Sequence, residues 1–356
     1  MPAKPSGATA VTRTLTQFLI DERRKHPSAT GELNSLILSL AAVCKSIAAH
    51  VNQGALPDEL HERVDTFATA AFRGCVAWGG PVAAMLSGAM EHAYVPPGGS
   101  DQKYLLAFEA LDGSSNADIN VPVGSIFSIL RAPSAQPTSR LEACAFLQPG
   151  SVQVAAGYAI YGPATMFVLS VGSGVHGFTL QRSIGEFILT HPNLRVPNQS
   201  SEFAINASNS RFWEPPIRRY VRECLAGATG PRGCDFNMRW IASLVAEAHR
   251  ILVRGGIFLY PRHAMDRNQL DGLRLLYACN PIAFLVDQAG GRASTGREPI
   301  LGVQPSALHQ QAHLIFGSRD EVERIERYHA EDRGDSNMDL PLFHPRGLFR
   351  DPVATR

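Results

Sequence analysis

Between Tyr104 and Asn116 the chain reads Tyr-Leu-Leu-Ala-Phe-Glu-Ala-Leu-Asp-Gly-Ser-Ser-Asn. Its first residues, Tyr104 to Phe108, form a short apolar run that predicts a buried strand, and an Asp-Gly turn follows. A strand that ends in two carboxylates, Glu109 and Asp112, presents oxygen ligands of the kind a hard cation such as magnesium requires. Gly113 and the small residues Ser114 and Ser115 can bring successive backbone N–H groups close to a phosphate, forming an anion nest. Cation ligands and phosphate donors a few residues apart point to phosphotransfer or phosphate-ester hydrolysis. The plainer reading is an ordinary Asp-Gly turn between strands.

The rest of the chain arranges itself around that stretch by period. Residues before about 30 are polar and lean basic, with an apolar patch from Phe18 to Ile20, which predicts a loose arm or a short helix. Leu33, Leu36, Ile37, Leu40, Ala41, Cys44, Ile47, Ala48 and Val51 recur at helical spacing and predict a long amphipathic helix. It starts at Thr30-Gly31-Glu32-Leu33, where free N–H groups could hold a phosphate and where Thr30 could equally be a simple cap. A second helical segment, about 60–72, carries Asp65.

After the central stretch the period shortens. Segments 119–130, 142–148, 153–160, 166–171 and 177–181 read as strands separated by Gly, Pro and Ser turns, a largely antiparallel meander. Gly172-Ser-Gly-Val-His-Gly177 matches a dinucleotide fingerprint, but a strand follows it where a helix would be needed, so it reads as a hairpin turn. Residues 192–202 read as a junction. Beyond it come a strand at 203–206, helices at 216–225 and 238–250, a strand at 255–261, a helix at 280–290, a strand at 313–316 and a helix at 320–329. His309 and His313 have a metal-pair spacing with no third ligand, and read as surface or capping residues.

Composition sets the class. At 356 residues, 45% of them hydrophobic, the chain suits one large domain or two closely packed ones. A net charge of +1 offers nothing to attract nucleic acid or a membrane surface. Six scattered cysteines with no Cys-x-x-Cys pair predict reduced thiols in a cytoplasm. No signal-peptide core and no span free of polar residues is evident.

Leu111-Asp-Gly-Ser-Ser-Asn116, followed by Val121-Pro-Val-Gly-Ser-Ile-Phe-Ser-Ile129, resembles the signature of class 1 fructose-1,6-bisphosphatases, within the magnesium-dependent sugar and inositol phosphatase superfamily. The match extends from about Thr30 to about Ser318. The resemblance implies a layered α-β-α-β-α sugar phosphatase fold of the α/β class, with a largely antiparallel N-terminal sheet. It implies an arm at 1–29, a half carrying the AMP and metal sites at 30–195, a sugar-phosphate-binding half at 196–332 and a tail at 333–356. It further implies hydrolysis of the 1-phosphate of fructose 1,6-bisphosphate, in gluconeogenesis or the Calvin cycle, by a cytoplasmic homotetramer that uses Mg2+.

Carried over residue by residue, the resemblance gives Asp65 the positioning of the attacking water, with Asp112 also in the catalytic centre. Glu109, Asp112 and the Leu111 carbonyl would hold metal. Asp112, Gly113, Ser114 and Ser115 would bind the scissile phosphate, Arg274 the substrate, and Asn206, Arg239 and Tyr260 the remote phosphate, Arg239 reaching in from a neighbouring subunit. Thr30, Gly31, Glu32, Leu33, Lys103, Tyr104 and Arg131 match an AMP site, whose helix start, lysine and arginine suit a nucleotide monophosphate.

The chain departs from the family at several of these places. Glu109 and Ala110 replace Asp and Pro, Gly88 and Ala89 replace a Glu-Glu pair after Ser87, and Ala278 replaces a Glu. Glu91 is the nearest acid that could substitute. Gly272 replaces a substrate-binding Lys, and Asn209 and Trp240 stand where animal enzymes have Tyr. Two alternatives stay open beside hydrolysis of fructose 1,6-bisphosphate. One is a weak or inactive paralogue acting as a nucleotide-binding or regulatory subunit, assembled with itself or with a related subunit. The other is a phosphatase for another sugar bisphosphate.

Overall fold

The computed structural model describes residues 13–25, 31–52, 60–75, 80–99, 102–117, 119–133, 144–262 and 272–335. Three helices come first: α1 (Leu15–Lys25), α2 (Gly31–Asn52) and α3 (Leu60–Gly74). They cover one face of a seven-stranded sheet in the order β1 (Val82–Ser87), β2 (Tyr104–Asp112), β3 (Val123–Arg131), β4 (Ala155–Tyr161), β5 (Thr165–Ser170), β6 (Val175–Gln181) and β7 (Glu186–Leu194). Only β1 and β2 run parallel; every other neighbouring pair is antiparallel. The expected meander is therefore present, and Gly172 to Gly177 lies where β5 turns into β6.

The second half builds a second sheet, in the order β12 (Arg292–Ser294), β14 (Leu314–Gly317), β10 (Ile257–Tyr260), β8 (Glu202–Ile205) and β9 (Asn237–Met238). A small pair, β11 (Leu273–Arg274) and β13 (Gln311–Ala312), stands apart from it. Helices α5 (Leu244–Arg254) and α6 (Asn280–Gln288) fill the space between the two sheets. Helices α4 (Pro215–Leu225) and α7 (Arg319–Asp335) pack on the far side of the second sheet. The layers are α, β, α, β, α, as the resemblance implies.

The layering follows from strand alternation. Phe127 and Ile129 of β3 face α1–α3, while the neighbouring Ile126 faces α5 and α6. Strand β3 is buried on both faces from Val123 to Leu130, and its two core serines, Ser125 and Ser128, are hydrogen-bonded. On the helical side Phe72 of α3 stacks on Phe108 of β2, with ring centroids 4.5 Å apart. Removing a buried ring of this kind costs about 3–5 kcal/mol, so this contact fixes α3 on the sheet. Helix α2 is long and apolar enough, by length and composition, to cross a membrane. Its Leu36, Ile37, Leu40, Cys44 and Ile47 are instead buried in the core under the first sheet.

Several expected elements differ. Residues 144–146 form a turn instead of part of a strand over 142–148, whose first two residues lie outside the described ones. The helix expected from Met238 begins at Leu244: residues 237–238 pair with Glu202 and Phe203, Ala242 is left-handed at φ 59°, and Ser243 caps the new helix. A non-glycine residue at that φ cannot continue a helix. Strand β7 was not foreseen because it is polar and contains Pro192, which an edge strand tolerates. Strand β1 was hidden by its alanines, which have weak strand preference. The leading arm contains a full helix, α1, whose Leu15, Phe18 and Leu19 join the core.

Candidate active site

Glu109 and Asp112 are three positions apart, and a regular strand would aim them at opposite faces of the sheet. The register against β3 slips between them: Glu109 pairs with Ile126 but Asp112 with Gly124. One extra residue on β2 is a β-bulge, and a bulge re-aims the side chains that follow it. The Asp112 charge ends close enough to Glu109 to disfavour that carboxyl's ionisation. Ser125 clamps the bulge, its hydroxyl donating to the Ala110 carbonyl at 2.6 Å.

The turn after β2 is latched to the start of α5. One Asp112 carboxylate oxygen accepts from the Ser243 hydroxyl at 3.0 Å and from the Val245 backbone N–H at 2.9 Å. The Asn116 amide donates to the Ala242 carbonyl at 3.1 Å, holding the left-handed residue in place. Gly113 sits at φ 71°, and a Cβ there would come within 3.1 Å of the Ser243 side chain. Both the left-handed φ and the tight approach favour glycine here. Burial pushes the Asp112 carboxyl above the usual range, while the Val245, Ser243 and Leu244 donors oppose that shift. Sequence reasoning missed Ala242, Ser243 and Val245 as partners of this turn. Ser243 ahead of an apolar helical run was the available signal.

A cavity of about 310 Å³ opens beside Glu109, lined by Asp65, Thr69, Ser87, Gly88, Ala89 and Arg274 among others. Asp65 and Thr69 reach it together because they lie one turn apart on α3. Gly88 and Ala89 reach it because β1 runs parallel to β2, with Ser87 opposite Phe108. Arg274 enters from β11 and is steadied by donating to the His309 carbonyl at 2.7 Å. Burial pushes the Glu109 carboxyl up to about 7, with the Asp112 and Asp65 charges adding to that and Arg274 opposing it. A Cβ built on Gly88 would lie 3.2 Å from a Glu109 carboxylate oxygen and 3.3 Å from the Tyr277 ring. The longer acid at 109 thus occupies the space that a side chain at 88 would need.

The structure does not bring every expected group here. Ala278 is buried in the five-residue π-helical turn Leu275–Cys279 and does not line the cavity. The Glu91 side chain is 90% exposed and points to solvent beside His92, so it does not stand in for the missing acids. His309 bonds to the Tyr277 hydroxyl at 3.0 Å. A larger cavity, about 450 Å³, lies among Asn52, Asn120, Tyr161 and Arg182 and touches none of the expected site residues.

These observations decide how well magnesium fits. Among the described residues no group of three or more His, Cys, Asp or Glu side chains is placed to share an ion. Asp112 commits an oxygen to α5, Glu109 holds its proton up to near neutrality, and Gly88 and Ala89 offer no oxygen from a side chain. A hard cation's affinity follows its anionic ligand count. The residues present do not fit a magnesium cluster.

The remaining expected groups fall in two places. Asn206 and Tyr260 line a small hollow with Asn209 and Trp240. Arg239 is not in that lining; its side chain is half exposed, 3.5 Å from Glu202. At the other end of the sheet, Lys103 pairs with Glu32 at 2.8 Å, and Tyr104 lies opposite Arg131. Gly31, Glu32 and Leu33 open α2, so these residues share one corner; Thr30 lies outside the described residues.

Comparison with known proteins agrees over nearly the whole chain. The fructose-1,6-bisphosphatase N-terminal domain matches residues 13–192 and the C-terminal domain residues 196–330. A class 1 fructose-1,6-bisphosphatase of Hydrogenophilus thermoluteolus is 56% identical, over 96% of this chain and 98% of the relative. One from Methylibium petroleiphilum is 55% identical, over 95% and 98%. The crystal structure of Leishmania major fructose-1,6-bisphosphatase in holo form superposes with a TM-score of 0.82 at 34% identity, covering 90% of this chain and 99% of that one. Latched turn, layered sheets and matched length lead to one conclusion: the chain belongs to the fructose-1,6-bisphosphatase family.

Proposed function

We propose that the chain is a phosphoric monoester hydrolase that takes fructose 1,6-bisphosphate and releases its 1-phosphate, at a rate reduced by the loss of three carboxylates. The observation that carries this reading is the turn from Asp112 to Asn116, tied to the start of α5 within a fructose-1,6-bisphosphatase fold. Backbone N–H groups of Gly113, Ser114 and Ser115 would receive the scissile phosphate. Asn206 and Tyr260 would hold the remote one, with Arg239 supplied by a neighbouring copy in a homotetramer.

Asp65, on the cavity wall, would orient the attacking water. The family depends on metal, magnesium being typical, because clustered cations neutralise phosphate charge and prime that water. The carboxylates replaced at Gly88, Ala89 and Ala278 remove most of that support, so turnover rests on positioning and on the turn's donors. The corner formed by Glu32, Lys103, Tyr104 and Arg131 would bind AMP. A cytoplasmic place in carbohydrate metabolism follows from the same assignment.

A second reading is favoured by the cavity itself. With Gly88 and Ala89 in its wall and Arg274 facing Glu109, the protein would bind sugar phosphate or nucleotide without turnover and act through a related, active subunit. Phosphate release from fructose 1,6-bisphosphate and from other sugar bisphosphates, with magnesium and with manganese, separates the readings. Slow release specific to fructose 1,6-bisphosphate is expected. Binding of that sugar with no release under any condition would reject the hydrolase reading and leave the second.

A further inference from the structure

Five consecutive residues, Arg239 to Ser243, join the hollow at Asn206 and Tyr260 to the phosphate turn, and each is anchored separately. The Arg239 N–H donates to the Phe203 carbonyl at 2.8 Å. Trp240 lines the hollow and stacks on Phe258 of β10, with ring centroids 5.8 Å apart. At the far end the Ala242 carbonyl holds Asn116 and the Ser243 hydroxyl holds Asp112, which is the latch on the turn. Between them the Ile241 N–H donates at 2.9 Å to one oxygen of Glu247.

That middle anchor is a buried charge. Glu247 lies in the first turn of α5, where Ser243 already caps the helix by accepting from the Ala246 N–H. Its side chain is fully buried, and its second oxygen accepts two bonds from Arg250, at 2.9 and 3.0 Å. Arg250 in turn donates to Glu202 at 2.8 Å, and Glu202 is also the carboxylate beside Arg239. Burial pushes the Glu247 carboxyl upward, while Arg250 and the Ile241 N–H oppose that shift. A buried ion pair of this kind adds little stability over apolar side chains of the same volume. An apolar residue at 247 could not, however, reach back and hold the Ile241 backbone.

We propose that Glu247 is a positioning residue: by holding Ile241 it sets the span between the hollow and the phosphate turn, and so favours a sugar with two phosphates over a sugar with one. The proposal rests on the reading of the chain as a sugar-bisphosphate protein and adds which residue fixes that span. Both ends of a bisphosphate bind together only where the span matches, and a mismatch forfeits the advantage of two-ended binding. A monophosphate held at Asn206 and Tyr260 needs no such match, because those residues stand at the ends of β8 and β10.

Titration calorimetry with fructose 1,6-bisphosphate and with fructose 6-phosphate, on the wild type and on variants of Glu247, is the test. Glu247→Ala should weaken the bisphosphate about tenfold or more while moving the monophosphate by less than about twofold. Glu247→Gln keeps an oxygen for the Ile241 N–H without the charge that Arg250 faces, and should weaken the bisphosphate only about threefold. Thermal melts accompany both variants, and Glu247→Gln carries the test if Glu247→Ala unfolds. An equal loss for both sugars would mark Glu247 as a purely structural residue and overturn the proposal. So would an unchanged ratio of the two affinities in the folded variants. A wild type that binds neither sugar would remove the functional reading, and the proposal with it.

Discussion

At the turn after β2 the polar groups on which the site depends are held by another segment: Asp112 reaches the start of α5, Asn116 reaches Ala242 just before it, and the left-handed backbone at 113 favours glycine. At the end of β1, a few ångströms away, the positions that should face the same ligand are Gly88 and Ala89, with an unpaired Ser87 hydroxyl beside them. The two regions share a sheet and a family history, yet one is tied down and the other stripped. The turn's residues hold up the fold: losing Asp112 would strand donors at a helix start. Metal-ligating carboxylates do no such structural work, since like charges gathered at one place destabilise the fold. The stripped region is therefore the one that can change without unfolding the protein.

That contrast can be broken most severely at Asp112. Asp112→Ala leaves the Ser243 hydroxyl and the Val245 N–H unanswered and should cost about 2–4 kcal/mol in urea unfolding, with loss of sugar-bisphosphate binding. A cost under about 0.5 kcal/mol would show that the latch does not support the fold.

The stripped side should resist simple repair. Gly88→Glu alone drives a side chain into Glu109 and Tyr277 and should destabilise by about 1–3 kcal/mol. Adding Glu109→Asp should recover most of that loss. Independent, additive effects in this double-mutant cycle would refute the coupling between positions 88 and 109.

Glu109 gives a smaller, pH-dependent effect. Its carboxyl ionises near 7 when folded, against 4.5 as an ordinary glutamate. Between those values the folded chain binds the extra proton, so stability falls as pH rises through that window and levels off above it. Glu109→Gln should be more stable than the parent at pH 8, with the gap closing below about pH 4.5. Parallel stability curves across that range would contradict the assignment.

The least change is expected at the far corner. Lys103→Ala removes an exposed ion pair with Glu32 and should move stability by less than about 0.5 kcal/mol. The same substitution, or Arg131→Ala, should abolish AMP binding by calorimetry. Unchanged AMP affinity would remove the nucleotide assignment.

Much of this was legible in the residues. The apolar run, the carboxylates and the Asp-Gly-Ser-Ser turn located the site, because each is a local pattern with a local cause. Gly88, Ala89 and Ala278 stand out in the sequence only as departures from a resemblance. Three things were not legible. The bulge that turns Glu109 and Asp112 to one side is a matter of register between strands, which no single segment records. The latch joins residues 112 and 245, and nothing in either segment names the other. The mutual fit of Glu109 and Gly88 depends on β1 lying parallel to β2, and β1 itself was masked by its alanines. Glu91 shows the same limit from the other side: adjacent in sequence, it faces solvent.

The central claim is that the phosphate turn survives while the cation site does not. Electron paramagnetic resonance of manganese mixed with the purified protein reads bound ions directly, whatever the activity. The wild type should leave the free-ion signal intact at submillimolar manganese, and a variant carrying Gly88→Glu, Ala89→Glu, Glu109→Asp and Ala278→Glu should quench it. Stoichiometric quenching by the wild type would contradict the account.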